Sequence, residues 1–243
     1  MIVRGESHRQ TYKGFHLRQR RLPLLKICGL RQPDQAAAIA GMGVAAIGVI
    51  AVQTSPRFVL PEQRAELFLA AKTASPACHG VVVVADPQAD DLKWLGSGQG
   101  HDILQLHGQE SPERCQELRH CLGVKVWKAL RLREPADLTR AALYAHHVDG
   151  LLLDAWAADQ LGGTGQRLPL EWLRGFEPAV PWWLAGGIAS DALPEILSQV
   201  RPNGLDVSSA VEKSPGDKDL KRVADLVRTI NHYGYTADSI TDD

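Results

Sequence analysis

The stretch LLLDAWAADQLGGTG (residues 151–165) decides how this chain folds. An uninterrupted apolar run stops at Asp154. A mixed span follows, and Gly162, Gly163, Thr164 and Gly165 close it. An apolar run without polar alternation is what a strand buried on both faces of a parallel sheet requires. A carboxylate at the end of such a strand, with a glycine-rich turn just beyond, is the layout of a strand–loop–helix unit that carries chemistry on its loop.

The same pattern recurs on both sides. Strands are expected at LLKIC (24–28), VAAIGVI (44–50), GVVVVA (80–85) and DILQLH (102–107). Further on come VKVWKAL (124–130), VDGLLLD (148–154), PWWLAGG (181–187) and NGLDVSS (203–209). Helical patterns separate them. PDQAAAIAGM places Pro33 in a first turn, and PEQRAELFLAAK and DDLKWLG follow. SPERCQELRHCL carries Ser111 as an N-cap with Pro112 next to it. ADLTRAALYAHH, LPLEWLRGF, SDALPEILSQV and DKDLKRVADLVRTI complete the set. Eight strand–helix units in about 210 residues predict an α/β protein with a single (β/α)8 TIM barrel over residues 24–232. An open doubly wound sheet would use fewer strands in one domain.

The flanks read differently. Residues 1–23 hold Arg4, Arg9, Lys13, Arg18, Arg20 and Arg21 against Glu6 and lack hydrophobic periodicity. They are expected to form a basic, disordered N-terminal extension in preference to a transit peptide, and residues 233–243 a loose polar tail. A net charge of -1 gives no support for nucleic-acid binding, and no run approaches the roughly 20 apolar residues of a membrane span. Cys28, Cys78, Cys115 and Cys121 lack metal-ligand spacing. Cys115 and Cys121 with His120 are two thiols on a surface helix rather than a zinc site. Reduced thiols in a cytoplasmic protein are expected, with no metal.

In a (β/α)8 barrel the active site gathers at the C-terminal ends of the strands. That places Cys28, Arg57, Gln105, His107, Asp154, Gly186, Gly187, Asp206, Ser208 and Ser209 around one mouth. Three loops suit a phosphate: GGTG (162–165), AGGIAS (185–190) and DVSSAVE (206–212). Their glycines admit close backbone approach, and helix N-termini favour an anion. Cys28 reads as an inert buried thiol or as a base. As a base it needs its pKa of about 8.5 lowered by positive surroundings, and Lys26 lies on the same strand face. Asp154 reads as a loop cap or as a general acid; the second role requires burial to raise a pKa near 3.9. Opposite Cys28 in a barrel, the acid role is preferred. Arg57 reads equally as a bidentate carboxylate clamp or as a surface arginine.

LKICGL, LQLHGQES, LLLDAWAADQLGGTG, LAGGI and GLDVSSAVEKSPGDKD together resemble the phosphoribosylanthranilate isomerases of tryptophan biosynthesis, over roughly residues 24–230. The resemblance implies an Amadori rearrangement of N-(5-phosphoribosyl)anthranilate to 1-(2-carboxyphenylamino)-1-deoxyribulose 5-phosphate, without metal or organic cofactor. It implies Asp154 as general acid, Cys28 as general base and Arg57 on the anthranilate carboxylate. Gly163, Thr164, Gly165, Gly186, Gly187, Ser208 and Ser209 would sit at the phosphate, with Gln105, His107 and Asp206 completing the substrate site. Only a small sugar-phosphate partner is implied, with a monomer favoured over a homodimer. Ala210 departs from the family's glycine, and a required φ > 0 or very close backbone approach there would weaken phosphate binding. ASDAL replaces a common PENV, with Ser190 left as a helix cap, and GVIAVQTSPR is more apolar than usual. A histidine-pathway aminoaldose isomerase would need carboxylates at strands one and five, where this chain has Cys28 and the run Trp127, Lys128, Leu130. A non-catalytic phosphate-binding barrel would be expected to lose the acid or the base, and both are present.

Overall fold

The computed structural model describes residues 22–155 and 167–239. The extension before residue 22, the loop holding Gly163, Thr164 and Gly165, and the last four residues lie outside the described residues. Eight parallel strands close into a barrel in sequence order: β1 (Leu24–Cys28), β2 (Ala46–Ile50), β3 (His79–Val84), β4 (Ile103–Leu106), β5 (Lys125–Leu132), β6 (Gly150–Ala155), β7 (Trp182–Ala185) and β8 (Gly204–Val207). β8 pairs with β1 through Leu24↔Gly204 to Ile27↔Val207, which shuts the ring. A closed ring has no unpaired edge.

Side chains on each strand alternate between two cores. The outward set, including Ile27, Ile47, Val82, Leu104, Val126 and Leu151, packs beneath the helices. The inward set fills the barrel with Val81, Val83, Ile103, Trp127, Leu152 and Trp183. Trp127 and Trp183 stack at 4.8 Å between ring centroids, and they fit because β8 begins with glycine. A Cβ on Gly204 would stand 2.3 Å from the Trp183 ring.

The outer layer holds α1 (Pro33–Gly41), α2 (Pro61–Ala74), α3 (Pro112–Leu122), α4 (Asp137–Tyr144), α5 (Leu193–Gln199) and α6 (Leu220–Ser239). Pro33 opens α1, and Ser111 Oγ accepts the Arg114 N–H at 3.2 Å to cap α3, as the sequence predicts. Two expected helices are single 3-10 segments, Ala89–Trp94 and Leu170–Leu173. Each is curtailed by glycine: Gly96 and Gly98 after the first, Gly175 with φ 74° after the second. Ser190 starts a 3-10 turn and makes no side-chain cap, so its expected capping role fails. Cys115 is fully buried under α3 and only Cys121 is exposed, which corrects the reading of two surface thiols. α6 runs to Ser239, past Tyr233 where a loose tail was expected. Ahead of α6, Glu212–Ser214 (β9) and Asp217–Lys218 (β10) form a short antiparallel hairpin. Among the described residues no helix is long and apolar enough to cross a membrane.

Candidate active site

On β1, β4, β5, β6 and β8 the inward position nearest the C-terminal end carries a thiol, polar or charged group, Cys28, Gln105, Arg131, Asp154 and Asp206, while β3 and β7 end on Val83 and Ala185. On β1, Lys26 and Cys28 both face the interior, as their spacing predicts. Lys26 is completely buried, and its Nζ donates to Asp206 Oδ1 on β8 at 2.8 Å. A buried ammonium persists only with such a partner. Cys28 has room because its neighbour on β2 is Gly48, where a Cβ would stand 2.7 Å from Sγ.

Cys28 does not have the lowered pKa that the sequence reading required. Burial is the dominant effect and pushes the thiol up. Lys26 and Lys218 pull it down, and the nearby Asp206 carboxylate opposes them. Its ionisation therefore depends on the two lysines holding charge against desolvation.

Asp154, next to last in β6, lies in register with Arg131 of β5 and is 5% exposed. Burial first, and then the Asp206 charge, raise its pKa to about 7; the Ala155 N–H, Arg131 and Lys26 pull the other way. The Ala155 N–H donates to Asp154 Oδ1 at 2.8 Å, which fixes the carboxyl plane. The other oxygen, Oδ2, lies 3.9 Å from His107 Nε2, too far for a hydrogen bond. His107 is driven down to about 3 by burial and by Lys128, Arg131 and Lys26, so it is a neutral imidazole. His107 Nε2 and Gln105 Oε1 are buried without a hydrogen-bond partner among the described residues. Buried polar atoms left unsatisfied mark a place where a ligand's polar groups are expected.

Arg57 follows β2 and is a buried ion-pair member, not a surface arginine. Its Nη2 meets Glu212 Oε2 at 2.7 Å and its Nε meets Oε1 at 2.9 Å. Glu212 also accepts from Lys218 Nζ at 2.7 Å. The sequence reading gave neither Glu212 nor Lys218 a role. They stand 155 and 161 positions beyond Arg57, so no spacing rule joins them to it.

After β7, Gly186 and Gly187 take consecutive positive φ values of 89° and 59°. Ser208 Oγ donates to the Cys28 carbonyl at 3.0 Å, and Ser209 opens the 3-10 turn Ser209–Val211. Ala210 lies inside that turn, and Asp86 is the non-glycine residue found at positive φ among those described. The methyl group of Ala210 therefore imposes no backbone strain. Lys128, on the outward face of β5, binds Glu110 at 2.7 Å and the Gly108 carbonyl at 2.8 Å, which ties the loop after β4 to β5.

These features define the class: a (β/α)8-barrel enzyme whose mouth holds a protonatable carboxyl, a thiol and a bound arginine. The chain belongs to the N-(5'-phosphoribosyl)anthranilate isomerase family, whose model matches residues 25–229. A relative of that name from Synechococcus elongatus is 45% identical over 207 residues, covering 85% of this chain and 95% of its own. The crystal structure of phosphoribosyl anthranilate isomerase from Thermus thermophilus superposes with a TM-score of 0.72 at 28% identity, covering 86% of this chain and 99% of that one. Another isomerase was solved in complex with reduced 1-(o-carboxyphenylamino)-1-deoxyribulose 5-phosphate. It has a TM-score of 0.72 at 25% identity and covers 87% and 100% of the two chains.

Proposed function

We propose that this protein isomerises N-(5'-phosphoribosyl)anthranilate to 1-(2-carboxyphenylamino)-1-deoxyribulose 5-phosphate in tryptophan biosynthesis, with Asp154 as acid and Cys28 as base. The carrying observation is Asp154 itself. It is a strand-end carboxyl raised to about 7, and so retains a proton near neutrality, in the mouth that also holds Cys28.

Asp154 gives its proton to the furanose ring oxygen as the C1–O bond breaks, leaving a Schiff base at C1 and a free hydroxyl. The Cys28 thiolate then takes the proton from C2, and the released electron pair forms the C1–C2 double bond of an enolamine while nitrogen is neutralised. Tautomerisation moves the enol proton to C1 and yields the ketone. Atoms and electrons balance within one molecule, so the step calls for no external oxidant or reductant. Arg57 would hold the anthranilate carboxylate, and Gln105 and His107 offer acceptors to the sugar hydroxyls. Gly186, Gly187, Ser208 and Ser209 would face the phosphate, with Asp206 securing Lys26 between acid and base.

The test follows loss of anthranilate fluorescence without added metal. Cys28→Ser and Asp154→Asn should each lose at least about a thousandfold in kcat. Full turnover by both variants would refute the assignment. The protein is read as a monomer in the cytoplasm. Large exposed apolar side chains among the described residues, Leu24, Leu60, Leu69 and Leu143, are dispersed over β1, α2 and α4 and their flanks, which supports the monomer. Light scattering decides that point.

A further inference from the structure

Arg57 has one edge of its guanidinium already filled. Nε and Nη2 both donate to Glu212, the first at 2.9 and 3.2 Å to its two oxygens and the second at 2.7 Å. A planar guanidinium has a second fork, formed by Nη1 and Nη2. No other acceptor among the described residues meets the Arg57 side chain.

Glu212 is fixed in its turn. Oε1 accepts from Lys218 Nζ at 2.7 Å and from the Gly216 N–H at 3.1 Å, within the β9–β10 turn. Lys218 Nζ also donates to the Ser208 carbonyl at 3.3 Å. The Lys218 N–H donates to Gln35 Oε1 at 2.9 Å, and Gln35 Nε2 donates to Asp217 Oδ1 at 2.8 Å, which locks the hairpin to α1. An isolated Arg–Glu pair would be neutral and would attract an anion weakly. Two cations around one carboxylate leave the cluster with a surplus positive charge beside the mouth.

We propose that Glu212 is a positioning residue for substrate recognition. It holds one edge of Arg57 so that the Nη1/Nη2 edge meets the ortho carboxylate of the anthranilate ring in a fixed orientation, with Lys218 holding Glu212 in place. The inference rests on the isomerase reading.

The experiment compares two substrates, N-(5'-phosphoribosyl)anthranilate and the same compound built from aniline, which lacks the carboxylate. The parent protein should prefer the first. Glu212→Gln should cut that preference in kcat/KM at least about tenfold, mainly through KM, as Arg57→Met does. Arg57→Met/Glu212→Gln should show no loss of preference beyond Arg57→Met alone, because both act on one contact. If Glu212→Gln misfolds around an unpaired Lys218, Glu212→Gln/Lys218→Met removes both buried charges and is read the same way. Equal losses on the two substrates, additive losses in the double variant, or misfolding of both Glu212 variants would make Glu212 merely structural and overturn the proposal. A parent protein that turns over neither substrate would overturn the isomerase reading instead.

Discussion

Asp154 and Cys28 lie in one buried mouth, and burial raises both of their pKa values. The proposed mechanism needs Asp154 protonated and Cys28 ionised, yet Asp154 titrates near 7 and the thiol higher. The active pair is therefore a minority form at every pH. Below about pH 7 Asp154 is already protonated and the thiolate falls tenfold per unit, so kcat/KM should fall with unit slope. Above 7 the gain in thiolate is offset by loss of the protonated acid, and the profile should be flat until the thiol itself titrates. A profile measured between about pH 5 and 9 checks this; an optimum on the acid side would contradict it. The same shift affects stability. A carboxyl whose folded pKa lies above its unfolded value of about 3.9 supports folding below that value, and the support is lost as pH rises through about 7. Asp154→Asn cannot ionise. At alkaline pH it should be the more stable protein by on the order of 2–4 kcal/mol, and the gap in denaturation midpoint should vanish near pH 4.

At the scale of elements, the strands were legible because burial on both faces turns each into a continuous apolar run. VAAIGVI and PWWLAGG were read two or three residues too long, since the apolar and glycine composition runs on past the paired residues Ala46–Ile50 and Trp182–Ala185. DDLKWLG and LPLEWLRGF have helical composition but lack the length to propagate a helix before glycine intervenes. The β9–β10 hairpin, with strands of three and two residues, is too short to display any period, and with it Glu212 and Lys218 stayed hidden. Gly204 shows how tightly strand choice and core packing are linked. Gly204→Ala would place a methyl group 2.3 Å from the Trp183 ring. Overpacking of this kind costs about 1–3 kcal/mol, a fall in melting temperature of roughly 3–10 °C with little change in the far-ultraviolet spectrum. An unchanged melting temperature would show that Trp183 moves freely.

For the molecule as a whole, closure depends on β1 finding β8 across 180 positions, and the Lys26–Asp206 pair lies in that seam. All of the β1 pairing partners lie between Leu24 and Val207. A chain starting at Leu22 should therefore keep its turnover within about twofold and its melting temperature unchanged. A tenfold loss on such a truncation would assign the basic extension a part in folding or catalysis.

The order of strands, their burial on both faces and the places of Cys28, Asp154, Gly186 and Gly187 at or just beyond strand ends were determined by the sequence itself. Each follows from local patterning, apolar runs ending in polar or glycine residues. Only the tertiary structure decided that Arg57 is bound by Glu212 and Lys218, that Lys26 pairs with Asp206, and that Cys28 is raised in pKa and not lowered. Those outcomes are electrostatic, set by distance and desolvation among groups brought together by barrel closure, and separation along the chain carries no trace of them.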